Sequence, residues 1–161
     1  MKIKGLIDED FINYRKISMF ISTCYCDWKC CKENNLPIET CQNCSLNKEP
    51  IIDISTEKIF RRYISNSMSE AIVIGGLEPV LQEEELHDFI KYFRDNNCLD
   101  DIIIYTGYYQ YEIQSFVDKL KSKYTNIYFK FGRYIPNQEK HYDDVLGVYL
   151  ASDNQKGEKV C

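Results

Sequence analysis

The stretch Ala71-Ile72-Val73-Ile74-Gly75-Gly76-Leu77-Glu78-Pro79 sets four consecutive apolar residues directly before a pair of glycines and an acidic residue. A short apolar run without alternation is the pattern of a strand covered on both faces, and the glycines end it. The pattern recurs on either side. Asp101-Ile102-Ile103-Ile104-Tyr105 stops at Thr106-Gly107, and Asn126-Ile127-Tyr128-Phe129-Lys130-Phe131 stops at Gly132. Upstream, Ile17 to Thr23 is a further run, and Val145 to Leu150 is a shorter fifth. Three stretches between the runs carry helical stripes: Ile59, Tyr63 and Ile64; Leu86, Phe89, Ile90 and Phe93; Ile113, Phe116, Val117 and Leu120. Ser55 stands where it can cap the first of them. Strands alternating with amphipathic helices predict the α/β class, a parallel sheet with helices packed on it.

The chain of 161 residues predicts a single domain, 1–161, large enough to bury a substantial core. Thirteen Tyr and eight Phe supply it. A net charge of -5 argues against a general nucleic-acid binder, which carries a basic surface. No apolar run approaches the roughly 20 residues of a membrane span. The opening Met1 to Tyr14 has no apolar stretch followed by a cleavage signal, so the expected location is the cytoplasm.

In a reducing compartment, clustered thiols read as metal ligands rather than as disulfides. Six of the eight cysteines, Cys24, Cys26, Cys30, Cys31, Cys41 and Cys44, fall within 21 residues, in a loop at 24–44 that follows the first apolar run. Zinc takes four closed ligands, and the pairs Cys26 with Cys30 and Cys41 with Cys44 would supply them. An iron-sulfur cluster can take three thiolates and leave one iron for substrate. Both readings stand at this point. The other strands end in equally specialised loops: Gly-Gly-Leu-Glu-Pro, Tyr-Thr-Gly-Tyr and Gly-Arg-Tyr. Ligands of parallel sheets bind at the carboxyl ends of the strands, which places these loops on one rim. His87, on a helix with acidic neighbours, is expected to face solvent, His141 lies in a polar loop, and neither is expected to be a ligand.

The order of strand, cysteine loop, strand and Gly-Gly-x-Glu-Pro resembles the radical S-adenosylmethionine enzymes. Within them the chain is most similar to the anaerobic ribonucleotide reductase activating protein family. Its length, the run Ile104-Tyr105-Thr106-Gly107-Tyr108, and Gly132-Arg133-Tyr134-Ile135 followed by Ala151-Ser152-Asp153-Asn154-Gln155 carry the likeness, which spans Met19 to Gln155. The resemblance implies a partial (β/α) barrel and a 4Fe-4S cluster that cleaves S-adenosylmethionine. It further implies the activation of a glycyl-radical partner enzyme such as anaerobic ribonucleotide reductase. The chain departs from the family pattern twice. The family spaces its cysteines Cys-x3-Cys-x2-Cys, whereas here Cys26-x3-Cys30 is followed by ten residues before Cys41. Leu77 is an extra residue between Gly76 and Glu78.

The resemblance then implies Cys26, Cys30 and Cys41 as cluster ligands, with Cys24 and Cys31 as alternatives for the first two. Gly75 and Gly76 would let the backbone approach S-adenosylmethionine, and Glu78 would accept from its ammonium. Tyr105 and Thr106 would offer hydroxyls to its ribose, and Arg133 would meet its carboxylate. A binding module for zinc or an iron-sulfur cluster, without catalysis and acting in interaction or regulation, is the other function the cysteines allow.

Overall fold

In chain order the computed structural model, which describes residues 1–161, runs β1 (Lys2–Ile3), β2 (Gly5–Asp10), β3 (Ser18–Ser22), α1 (Lys29–Glu33), β4 (Ile52–Asp53), α2 (Thr56–Ser65), β5 (Ala71–Gly75), α3 (Glu83–Asp95), β6 (Asp101–Tyr105), α4 (Gln114–Lys121), β7 (Ile127–Phe131), β8 (His141–Asp143), β9 (Val148–Leu150) and β10 (Lys156–Lys159). The central sheet has six strands in the order β10-β7-β6-β5-β3-β2. Its inner four are parallel and stand in chain order. The outer two, β2 and β10, are antiparallel to their neighbours.

Alternation along the strands decides which face each side chain joins. Met19, Ile21, Ile72, Ile74, Ile102, Ile104 and Phe129 point to one face, where Ile59 and Tyr63 of α2, Phe89 and Phe93 of α3, and Phe116 and Leu120 of α4 complete the main core. Ala71, Val73, Ile103 and Tyr128 point to the other face and meet Tyr14, Leu146 and Leu150 in a smaller cluster. All three long helices therefore cover one face, and irregular chain covers the other. Ser55 does cap α2, its hydroxyl accepting from the Lys58 N–H.

The fold departs from the expected pattern in four places. Val145 to Leu150 does not join the central sheet. Asp143 accepts the N–H groups of Leu146 and Gly157, and Gly147 turns the chain at φ +72°, so Val148–Leu150 folds back on His141–Asp143 as a separate antiparallel ribbon. Ile64 is 56% exposed, because it sits five residues from Ile59 and so more than a third of a turn round the helix from it. His87 is not turned to solvent. Its Nε2 lies 3.3 Å from the Tyr124 hydroxyl and its side chain is largely covered. The edge strands β2 and β10, with the sequences GLIDED and KGEK, carry no apolar run to announce them.

Candidate functional site

The carboxyl ends of β3, β5, β6 and β7 surround a cavity of about 400 Å3, on the sheet face that the helices leave uncovered. Cys26, Cys30 and Cys41 line one side. Gly76, Leu77 and Glu78 from the loop after β5, Tyr105 and Thr106 from the end of β6, and Lys130 from β7 line another. Seven of the nine residues singled out in sequence thus meet at one cavity: Cys26, Cys30, Cys41, Gly76, Glu78, Tyr105 and Thr106. Gly75 and Arg133 do not line it.

The thiol wall is held by local backbone geometry. Trp28 adopts a left-handed conformation at φ 59° ahead of α1, and its N–H donates to the Cys26 sulfur at 3.3 Å. Cys30 and Cys41, separated by ten residues, face each other closely enough that each shifts the other's ionisation. Burial pushes the Cys26 thiol up to about 12. The neighbouring Cys30 and burial together hold Cys41 above the ordinary thiol range, while the proximity of Cys41 lowers Cys30. Thiols become thiolates when a cation takes the protons' place, which is the donor chemistry an iron cluster needs. The remaining cysteines are differently occupied. Cys24 is buried with its N–H bonded to the Gln82 side chain, Cys31 is buried in α1 3.9 Å from the Cys30 sulfur, and Cys44 donates to the Glu39 carbonyl. Nowhere do three His, Cys, Asp or Glu side chains close tightly on one point as a single metal ion requires, and the three thiols stand around a wider space.

Across the cavity, Glu78 is only 5% exposed. Its carboxylate accepts from the Thr106 hydroxyl at 2.7 Å, the Gly107 N–H at 2.8 Å and the Val80 N–H at 3.1 Å. Burial nevertheless raises its pKa, so desolvation outweighs three neutral donors. The extra Leu77 does not displace it: Leu77 packs into the wall, and the Glu78 N–H bonds the Tyr25 carbonyl at 2.7 Å. Lys130 joins the wall without a motif to announce it. Its ammonium donates to the Gly132 and Thr106 carbonyls at 3.0 and 3.4 Å, and burial lowers it to about 8. A lysine between Phe129 and Phe131, in a strand buried along its whole length, was the available signal.

The glycines act partly through packing. Gly76 has φ +81°, and a Cβ there would stand 3.1 Å from Ser22 and from Leu46 of the cysteine segment. A Cβ on Gly75 would stand 3.0 Å from that of Tyr105. The Tyr105 hydroxyl donates to the Asn13 carbonyl at 2.6 Å, leaving its oxygen free to accept. Arg133 is neither a surface charge nor a wall of the cavity. It is 3% exposed, and its guanidinium makes two 2.7 Å bonds to Glu112 and one of 3.0 Å to Glu33. A guanidinium already occupied by two carboxylates is not directed at a further one.

A sequence profile described as "4Fe-4S single cluster domain" matches residues 14–150, most of the chain. Comparison with curated proteins and with solved structures finds no match. The profile match decides between the metals that the cysteines left open. No helix is long and apolar enough to cross a membrane.

Proposed function

We propose, for a chain that belongs to the 4Fe-4S single cluster domain family, that the cluster is held by Cys26, Cys30 and Cys41 and serves the reductive cleavage of S-adenosylmethionine. When bound, the cluster supplies the single electron with which the sulfonium bond is broken. The observation that carries the reading is the pair Glu78 and Lys130. They are opposite charges, both buried at one cavity wall, close enough to influence each other's ionisation, with no hydrogen bond between them. An amino-acid moiety brings an ammonium and a carboxylate together, and such a ligand relieves the desolvation of both groups at once. Glu78 accepts from the ammonium, Lys130 faces the carboxylate, and Gly76 keeps the wall free of a side chain. Thr106 orients Glu78 through its hydroxyl, and Tyr105 offers its oxygen to the ribose.

The fold is consistent with the partial barrel of radical S-adenosylmethionine enzymes. Strands in unbroken chain order with every long helix on one face describe a sheet wound in one direction, and the cavity lies on its inner side. On this reading the protein is a cytoplasmic activase that generates a glycyl radical on a partner such as anaerobic ribonucleotide reductase. The cavity at the carboxyl ends of the strands is where such a protein substrate would present its glycine.

The test is to reconstitute the protein anaerobically, reduce it and add S-adenosylmethionine. Methionine and 5′-deoxyadenosine are the expected products, formed slowly without a partner. A loaded, reducible protein that neither binds nor cleaves S-adenosylmethionine would leave a cluster-binding module without this activity.

A further inference from the structure

The cysteine segment makes little regular structure of its own. Its only α-helix is the five residues of α1, which carries Cys30 and follows Cys26 by three positions. A helix that short is not stable in isolation, so whatever fixes it against the sheet also fixes two of the three thiols. The attachments converge on a group of four charges. Lys29 and Glu33, at the two ends of α1, lie on one side. Glu112, from the turn before α4, and Arg133, just past the end of β7, lie on the other.

Lys29 pairs with Glu112, and Arg133 bonds both Glu112 and Glu33, so the two positive and two negative groups close a circuit between α1 and the sheet rim. The Arg133 side chain is 4% exposed and that of Glu112 14%, so the circuit is anchored in a dry place even though Glu33 reaches solvent. Aromatic rings fix its geometry. The Lys29 ammonium lies 4.9 Å from the centre of the Tyr108 ring, and the Arg133 guanidinium 4.8 Å from that of Tyr109. The Tyr108 hydroxyl donates to Asp27, the residue after Cys26, at 2.7 Å. Arg133 is suited to the centre of such a circuit, because its planar fork can meet two carboxylates at fixed angles where a lysine offers a single point charge.

We infer that Arg133 is a positioning residue for the iron-sulfur cluster. Through Glu112 and Glu33 it clamps α1 to the rim and keeps Cys26 and Cys30 aligned with Cys41. The inference rests on the cluster assignment proposed above and replaces the ligand-binding role that the sequence suggested for Arg133. It predicts that the clamp governs how firmly the cluster is kept, since groups behind the ligands commonly change metal retention by about 10–100-fold.

The experiment uses the anaerobically loaded full chain and follows transfer of iron to an excess of a strong iron chelator. Melting of the cluster-free protein and the electron paramagnetic resonance spectrum of the reduced cluster are recorded beside it. Arg133→Met and Arg133→Lys should both release iron about 10–100-fold faster than wild type and alter the spectrum. Glu33→Gln, which removes one outer arm of the clamp, should accelerate release about threefold. Phe93→Leu, a core substitution in α3, serves as the control for loss of stability alone. Release from Arg133→Met at the wild-type rate, or no faster than from Phe93→Leu, overturns the inference. If Arg133→Met does not fold, Glu33→Gln decides, and a wild-type rate there overturns it. A wild-type chain that takes up no cluster overturns the functional reading and this inference with it, whereas equal release from a loaded wild type and the Arg133 variants overturns this inference alone.

Discussion

Asp101 and Glu78 are almost equally buried, at 6% and 5% exposed, and stand at opposite ends of the same sheet. Asp101, where β6 begins, is met by the Lys16 ammonium at 2.6 Å and the Tyr14 hydroxyl at 3.1 Å, so its charge is answered within the protein. Glu78, past the end of β5, has only neutral donors beside it, and the nearby cation Lys130 spends its hydrogen bonds on carbonyls. One end of the sheet has closed its electrostatics and the other has left them open toward a cavity. Uncompensated burial of this kind is unfavourable for folding and persists where a ligand completes it.

If that contrast is correct, substitutions at the two ends have opposite consequences. The largest effect should come from Glu78→Gln: binding of S-adenosylmethionine, measured by titration of the cluster-loaded protein, should weaken roughly ten- to hundredfold, the worth of a hydrogen bond to a charged group. The melt of the ligand-free protein should stay within about 1 kcal/mol of wild type, because the Gly107 N–H loses an acceptor while a buried charge is removed. Equal loss of stability and binding would mean that Glu78 serves the turn alone.

Lys130→Met should stabilise the ligand-free chain at pH 7. Its ammonium is lowered from 10.5 to about 8 by burial, so relieving it is worth up to about 3 kcal/mol. The sign follows from proton binding. Between pH 8 and 10.5 the unfolded chain holds more protons at this group than the folded one, so wild-type stability rises with pH across that window and the advantage of Lys130→Met shrinks. Denaturant melts at pH 7 and pH 10 measure it, and an advantage that does not change with pH contradicts the assignment.

Asp101→Asn should do the reverse, destabilising the fold by about 2 kcal/mol with binding unchanged, since it strips Lys16 of its partner. The smallest effect belongs to Gly76→Ala, about 1 kcal/mol from the left-handed backbone. The added methyl group also presses on Leu46, so iron uptake should be recorded together with the melt.

What could be read in the sequence follows the same division between closed and open chemistry. The inner strands β5 and β7 are buried along their whole length and β6 all but Tyr105, which they advertise as apolar runs, and the predicted Asp101–Tyr105 matches β6. The edges β2 and β10 are half exposed and polar, so nothing in their composition marks them as strands. Cysteines and glycines announce themselves by rarity and spacing, which brought the cavity wall into view. Roles set by a distant partner were not visible. Arg133 lies 21 residues from Glu112 and 100 from Glu33, and Lys130 is meaningful only because its strand is covered on both sides. The apolar pattern of Val145 to Leu150 predicts a strand of the sheet, whereas its turn depends on the Asp143 side chain, which no apolar pattern reports.

The central claim is that three thiols and no others hold the cluster, and metal analysis of cysteine variants after anaerobic reconstitution tests it. The wild-type chain should carry about four iron and four sulfide, as should Cys24→Ala, Cys31→Ala and Cys44→Ala, whereas Cys26→Ala, Cys30→Ala and Cys41→Ala should each lose the cluster. Full iron in Cys41→Ala with loss in Cys31→Ala would contradict the assignment and move the third ligand into α1.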